Sequence, residues 1–503
     1  MHHLSVDNKI TSCYTEGLKK RPSFFMKFLG LRLDEHDSNI SYSNGSKVKY
    51  YKSERDTQIK HHGYDDLSSW KKVIDFWKIN PKDIDAMGIV IDSFKHPSIQ
   101  CDNTQLYETI DIPVFKYLGF DCPIYRVNHH YAHALSMWTL GVNSTIDFVF
   151  DGFGDDHISH TIFRGTDKIL EKHISQYPSL GQLMVAVGES LNLKGHKLDF
   201  AGKVMALKAY QNSMPLSKKY DFYNLNLLWK ETNVTTSHEE TEKLFVEHIE
   251  KHSSKEEIIS YSGGIAQNTI INTRLKKVRP NLHIPPHCND DGLSLGIVEF
   301  LRKHYEQEQF DTKGFPFWQS DIKPSVEPST KTIKKTAERL ARGEIVGWYQ
   351  GHGEVGPRAL GNRSILMNPT IQNGKDILNK RVKHREYFRP FGASVIVDRC
   401  EEFFEWQHDS PYMLYVMNVV DPITFAPITH IDGTCRPQTV SEDHEIYYEL
   451  ITEFEKLTGI PMLLNTSLNN GGKPICGSPN EAIELFSNSD MDCLVVGDHV
   501  LHK

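Results

Sequence analysis

The sequence predicts an α/β protein built in two parts, and three observations predict it. Two hairpins with acidic turns, one starting near residue 28 and one near residue 146, each lead into mixed helix and strand. A polar stretch from Glu306 to Thr332, carrying Pro316, Pro324 and Pro328, divides the chain. Beyond it, helix and strand patterns alternate again to the end. The 503 residues suffice for two large domains or about three average ones. The expected division is a leading extension over 1–27, a first domain over 28–325 and a second over 326–503.

Residues 28 to 54 read as strand, turn and strand, followed by an Asn44-Gly45 hairpin and a third strand. Asn-Gly between alternating apolar runs favours a type I′ turn. The second hairpin runs from Ile146 to Phe163. There an apolar run reaches Asp151, turns through Gly152-Phe153-Gly154-Asp155 and returns. The two hairpins look like a degenerate repeat, which suits an actin-like duplicated fold, although periodicity alone does not prove it. A helical stretch follows from Glu240 to His252, then a buried strand from Ile258 to Tyr261, then a helix opening after Ser262-Gly263-Gly264. The second part should hold a helix near Thr332 to Arg342 and strands near Ile345 to Tyr349 and Met413 to Val419. A long helix from His444 to Leu457 and strands at Pro461 to Leu464 and Cys493 to Val496 complete it.

Composition sets limits on function. Hydrophobic residues at 39% and charged residues at 24% are ordinary for a soluble protein. No run approaches the ~18 apolar residues of a membrane span. The apolar stretch from Ser23 to Leu33 is broken by Lys27 and Arg32 without a small-residue cleavage site after it, so cytoplasmic location is expected. The eight cysteines (13, 101, 122, 288, 400, 435, 476 and 493) form no C-x-x-C pair and should be reduced thiols. A net charge of −8 argues against a surface for polymeric nucleic acid. The charge is nevertheless uneven. Eight Lys or Arg between Arg358 and Arg389 face only Asp376 and Glu386, a local excess of six that suggests a small anionic ligand.

Two constellations carry chemistry. In Asn128-His129-His130-Tyr131-Ala132-His133, residues 129 and 133 lie four apart, so on a helix both imidazoles share one face and can grip one ion. His pairs at this spacing also arise by chance; Asp151 at a strand end and Asp290 at a turn supply the carboxylates that weigh for a metal. Two imidazoles and two carboxylates suit Fe(II), Mn(II) or Zn(II). Ser262 to Asn268 follows a strand and opens a helix, so Gly263 and Gly264 would let backbone N–H groups approach a nucleotide. Gly181 and the Gly202 to Met205 segment are compatible with the same site. The second constellation is the turn-rich Gly351 to Ser364, whose arginines match phosphate or carbonyl oxygens. Lys383, Arg385 and Arg389 follow, the last inside Phe388-Arg389-Pro390-Phe391. Arg436 and the Asn465-Thr466-Ser467 turn add anion donors. Surface salt bridges would explain Lys375 to Arg385 but not the glycine-arginine stretch.

Together these motifs resemble the NodU/CmcH family of carbamoyltransferases, over about residues 28 to 503. The resemblance implies a first domain like that of the tRNA threonylcarbamoyl-transfer enzymes and a YrdC-like α/β second domain. It makes His129, His133, Asp151 and Asp290 ligands of Fe(II) or another divalent transition metal, and Gly181 and Asn268 nucleotide contacts. Arg358, Lys383, Arg389, Arg436, Asn465 and Ser467 fall where the family binds carbamoyl phosphate or carbamoyl adenylate. His36, within Glu35-His36-Asp37-Ser38, falls where the acceptor binds. The turn departs from the family pattern at Asp34-Glu35 and Asn39, so the acceptor stays open: a sugar, an antibiotic-like metabolite or a hydroxymethylated nucleobase. The implied activity is ATP-dependent O-carbamoyl transfer through carbamoyl adenylate, with ATP, its Mg2+ and carbamoyl phosphate as co-substrates. A homodimer is among the expected assemblies.

Three other readings share parts of the pattern. A hydrogenase-maturation enzyme would carry paired zinc-finger cysteines and an acylphosphatase segment, both missing here. A threonylcarbamoyl enzyme normally divides these domains between chains. An actin-like nucleotide sensor would have no use for the basic segment.

Overall fold

The computed structural model describes residues 25–64, 66–91, 102–174, 179–210, 234–405 and 408–503. Most of the leading extension, with Cys13 and Cys101, lies outside them. The first sheet contains β1 (Phe28–Leu33), β2 (Asn39–Ser43), β3 (Val48–Lys52), β4 (Ala86–Ile91), β5 (Tyr107–Ile110) and β6 (Ile124–Val127), in the order β3-β2-β1-β4-β6-β5. The second contains β7 (Ile146–Phe150), β8 (Ile158–Arg164), β9 (Asp167–His173), β10 (Ile259–Ser262) and β11 (Leu282–His283), in the order β11-β10-β7-β8-β9.

Setting aside β5, which adds an antiparallel edge, the two sheets have one topology. Each begins with an antiparallel three-strand meander, and its first strand then pairs in parallel with the fourth, which pairs with the fifth. This repetition is the duplicated sheet of an actin-like fold. The first hairpin differs in detail from expectation. Ser43 pairs with Val48, so Asn44 and Gly45 sit in a four-residue loop closed by the Asn44 N–H on Lys47 O at 3.2 Å.

Helix Leu293–His304 is buried through its first nine residues and lies over β1 and β4, where Gly30 and Gly88 clear its path. Its Gly296 lies against Ala132 of helix His129–Ser136, where an added Cβ would come within 1.8 Å of the Ala132 carbonyl oxygen. Backbone meets backbone there, which fixes the histidine helix firmly.

The remaining strands form one sheet: β12 (Val346–Tyr349), β13 (Arg363–Met367), β14 (Gly392–Ile396), β15 (Phe404–Glu405), β16 (Met417–Val419), β17 (Thr434–Val440), β18 (Met462–Ser467), β19 (Cys493–Val496) and β20 (His499–His502). Their order is β15-β16-β17-β14-β18-β13-β12-β19-β20, with helix Glu445–Thr458 packed on one face. The expected linker is instead a packed strap. Gln319 is buried and bridges Tyr50 of β3 to Gly353, with the Gln319 N–H on Gly353 O at 3.2 Å and the Ser320 N–H on Tyr50 O at 2.7 Å. One apolar cluster continues from Phe148, Phe150 and Tyr261 to Tyr349, Ile365 and Phe391, joining the second sheet to the third. Among the described residues, no helix is long and apolar enough to cross a membrane.

Candidate functional site

The Asn128 side chain caps helix His129–Ser136 by accepting from the Tyr131 N–H at 3.1 Å, which sets the first turn and turns residues 129 and 133 to one side. Asp151 follows the last residue of β7. Asp290 opens the turn before helix Leu293–His304. The four side chains meet. His129 Nε2 lies 3.2 Å from Asp151 Oδ2 and 3.4 Å from Asp290 Oδ1, and His133 Nε2 lies 3.5 and 3.2 Å from the same atoms. One ligand atom from each residue falls within 4.8 Å of all the others. Asp151 is held by N–H groups of Gly152 at 2.7 Å and Gly264 at 2.9 Å on its other oxygen. Arg32 donates to Asp290 Oδ2 at 3.2 Å.

Electrostatics tie the set together. Burial works against a charged His129, yet the Asp290 charge and hydrogen bonds to both carboxylates raise it to about 10. Asp290 is held well below the usual carboxylate range despite burial, by His129, His133 and Arg32. Two imidazole nitrogens and two ionised carboxylates converging in a buried site form a donor set that fits a divalent transition metal.

His36 stands at the rim, its side chain 37% exposed. Its Nδ1 lies 3.3 Å from Asp37 Oδ2 and 3.9 Å from Asp290 Oδ2. Burial opposes its protonation, but the Asp37 hydrogen bond and the Asp290 charge raise its pKa. Behind it Lys52 Nζ binds Asp37 at 3.0 Å, Glu54 at 3.3 Å and Asp291 at 2.6 Å, anchoring the His36 turn to the loop that carries Asp290. The signal for Lys52 was only a lysine alternating along an apolar strand, which says nothing of three buried carboxylates from separate segments.

The glycine turn does something other than expected. The Gly263 N–H donates to Cys288 O at 2.7 Å, while that of Gly264 holds Asp151. Gly263 has φ +95, and a Cβ there would approach Phe150 O to 2.2 Å, so this position needs glycine to bring the two strand ends together. Asn268 caps helix Thr269–Val278, its Oδ1 accepting from Ile270 and Ile271 N–H groups at 3.2 Å. Gly181, in the first turn of helix Leu180–Ser190, lies against Gly152, where an added Cβ would come within 3.1 Å of the Gly152 Cα. Gly264 and Gly181 thus pack against the Asp151-Gly152 turn.

The basic residues gather at one end of the third sheet. In its register Gly392 pairs with both Arg436 and Asn465, so the segment entering β14 lies beside both. Asn465 Nδ2 donates to Ala359 O at 3.3 Å, bringing the Arg358 turn over the same point. Lys383 Nζ, buried, donates to Ser467 O at 2.7 Å and Asn469 O at 2.8 Å, and lies 3.3 Å from Ser467 Oγ. Burial, then Arg385 and Arg389, push the Lys383 ammonium well below its ordinary range. Arg436 is likewise depressed by burial, then by Arg358 and Arg385. The Nε atoms of Arg358, Arg385 and Arg436 are buried without a hydrogen-bond partner.

Arg363, by contrast, is structural. Its guanidinium stacks on Tyr349 at 3.6 Å and pairs with Asp321 at 2.9 Å. The basic cluster and the His/Asp cluster share one seam. Gly356 lies against Pro286, where a Cβ would come within 2.3 Å of the Pro286 carbonyl oxygen, and Arg358 and Cys288 perturb one another, two residues before Asp290. Phe388 is buried among Leu183, Met184, Val187 and Val204, and Lys203 pairs with Glu386 at 2.6 Å, so the first domain covers the basic loop.

Residues 337–503 match the family described as Carbamoyltransferase C-terminus. The nodulation protein NolNO of Sinorhizobium fredii is 28% identical, over 93% of this chain and 79% of that protein. The nodulation protein NolO of Bradyrhizobium diazoefficiens is 29% identical, over 75% of this chain and 79% of that protein. Both relatives span most of this chain, and its C-terminal part carries the carbamoyltransferase match. A third relative, nodulation protein U of Rhizobium tropici, is 35% identical over 42% of the chain and 38% of that protein. Among solved structures, component A of the Acidaminococcus fermentans (R)-2-hydroxyglutaryl-CoA dehydratase is similar over 56% of the chain and 100% of that chain, at 10% identity and a TM-score of 0.35.

Proposed function

We propose that this carbamoyltransferase makes carbamoyl adenylate from carbamoyl phosphate and ATP in the basic pocket and passes the carbamoyl group to an acceptor hydroxyl beside His36. The observation that carries this reading is the shared seam: Arg358, whose Nε is buried without a partner, acts on Cys288 in the loop that presents Asp290, and Arg436 is its neighbour on the other side. An anion-activating pocket and a metal-ligand cluster facing one another suit a two-step transfer.

The atoms balance as follows. Water releases phosphate from carbamoyl phosphate, leaving carbamate. A carbamate oxygen attacks the α-phosphorus of ATP, the bond to the β-phosphate breaks, and pyrophosphate leaves. The acceptor oxygen then attacks the carbamoyl carbon, the bond to the AMP oxygen breaks, and the acceptor proton passes to a base, for which His36 is placed. Arg358, Arg389 and Arg436 hold phosphate oxygens and stabilise charge as pyrophosphate departs. Lys383 fixes the Ser467 to Asn469 turn. His129, His133, Asp151 and Asp290 would hold a divalent metal, Fe(II) in the family the sequence resembles, which supplies Lewis acidity when bound. The acceptor class is a small molecule or nucleoside bearing a free hydroxyl.

A coupled pyrophosphate assay tests the reading. ATP should yield pyrophosphate only when carbamoyl phosphate is present, and Arg389→Ala should abolish release while circular dichroism stays unchanged. Release without carbamoyl phosphate, or an active Arg389→Ala variant, would remove the assignment of this pocket.

A further inference from the structure

Apart from the cluster of residues 129, 133, 151 and 290, one further group among the described residues can close around an ion: Asp37, Glu54 and His61. One ligand atom from each lies within 4.8 Å of the others. They arrive from separate segments. Asp37 stands in the turn between β1 and β2, Glu54 in helix Ser53–Thr57, and His61 in the loop after that helix. Asp37 and Glu54 are buried.

His61 is held in the way a metal-ligating histidine is held. Its Nδ1 faces Asp37, 3.1 Å from each carboxylate oxygen, and its Nε2 lies 3.3 Å from Asp199 Oδ1. A carboxylate on the outer nitrogen keeps the proton there and aims the lone pair of the inner one at the ion. Lys60 pairs with the same Asp199 and fixes it in turn. The His61 backbone N–H grips Glu54 Oε2 at 3.1 Å, so ligand and ligand are tied before any ion enters. Burial works against a charged His61, yet the Asp37 charge and the hydrogen bonds to Asp199 and Asp37 raise it to about 9, and a proton is what the ion displaces.

A further carboxylate points at the same place. Asp291 is fully buried; its Oδ1 meets Lys52 Nζ at 2.6 Å and its Oδ2 has no hydrogen-bond partner. The same ammonium reaches Asp37 at 3.0 Å and Glu54 at 3.3 Å. Lys52 thus brings one positive charge to the three carboxylates it touches, which leaves these four groups two negative charges in excess. Buried carboxylates in excess of their cations are costly, and one divalent ion cancels this excess. We propose that Asp37, Glu54 and His61 form a second metal site, for a divalent ion of the Mn2+ type, to which carboxylate and imidazole donors are suited. The ion shares Asp37 with His36, whose Nδ1 lies 3.3 Å from Asp37 Oδ2, and so joins the His36 turn to helix Ser53–Thr57. With three protein ligands and an ammonium beside it, this site binds more weakly than the four-ligand cluster and fills when the ion is added. It stands apart from the basic pocket and does not depend on how the carbamoyl group is activated.

Mn2+ titration of the full chain after chelator treatment tests this, with free ion read by its electron paramagnetic resonance signal. Wild type should take up two ions per chain, the second more weakly. His133→Ala, which removes a ligand of the first cluster, should keep the weaker ion. His61→Ala and Glu54→Gln should keep the tighter ion and weaken the other by about tenfold or more. Asp199→Asn should weaken the same ion by about tenfold, as the loss of a carboxylate behind a ligating histidine does. Circular dichroism checks that each variant is folded. Uptake of a single ion by wild type, or weaker-site binding unchanged in both His61→Ala and Glu54→Gln, overturns the inference. Loss of both ions in folded His61→Ala overturns it too, because the two clusters would then be one site.

Discussion

His133 is fully buried, and its Nε2 lies 3.2 Å from Asp290 and 3.5 Å from Asp151. Two carboxylates and two imidazole nitrogens converging in a buried site form a set that a cation bound by all four groups would satisfy. His133→Ala should therefore cut the transition-metal content of the purified chain, close to one per chain in wild type, by most of its value, as read by elemental analysis. Asp290→Asn should lose less, because the amide keeps an oxygen toward the histidines, although it also weakens the Arg32 contact at 3.2 Å. Equal metal in wild type and His133→Ala would mean these residues are not the ligands. The i, i+4 histidines were legible in the sequence because helical geometry alone puts them on one face. Lys52 was not, because its role depends on Asp37, Glu54 and Asp291 arriving from different segments.

At the level of elements, the histidine helix is placed by glycine. Gly296 allows helix Leu293–His304 to touch the backbone of helix His129–Ser136, and a methyl there would sit 1.8 Å from Ala132 O. Neither backbone has a side chain to move aside, so the helices must separate. Gly296→Ala should cost about 1–3 kcal/mol, the range for overpacking a tight core, and should lower metal content because His129 and His133 ride on the displaced helix. Thermal unfolding with metal analysis on one preparation checks both; an unaltered metal content would show that the helix pair is not what positions the ligands. The hairpins and the late helices were readable from alternation and periodicity. The strap over 306–329 was not: its prolines signal a loop, while the burial of Gln319 between Tyr50 and Gly353 comes only from tertiary pairing. The glycine turn at Gly263 suggests N–H groups open to a nucleotide, yet those of Gly263 and Gly264 serve Cys288 and Asp151, since a turn signal does not say which acceptor its donors will meet.

Across the whole molecule, the two clusters meet at a seam but belong to different sheets, so the two proposed half-reactions should fail separately. Arg436 lies on β17, opposite Gly392, amid the unsatisfied guanidiniums. His36 lies between β1 and β2, 37% exposed, at the rim of the metal cluster and bonded to Asp37 rather than to any group of the basic pocket. Arg436→Ala should stop pyrophosphate release from ATP and carbamoyl phosphate. His36→Ala should leave that release running through slow hydrolysis of the adenylate. With an acceptor supplied, His36→Ala should slow transfer by ~10²- to 10⁴-fold if the imidazole takes the acceptor proton, and by less if it only positions the hydroxyl. The sign of the pH dependence follows from the environment. Burial opposes protonation of His36, but the Asp37 hydrogen bond and Asp290 charge win and raise its pKa, so the free base forms above the ordinary histidine range and transfer should rise with pH there. A profile that stays flat through and above that range would assign His36 to positioning. Loss of pyrophosphate release in His36→Ala, with fold and metal content intact, would instead mean that the acceptor side takes part in activation and that the seam is a single site.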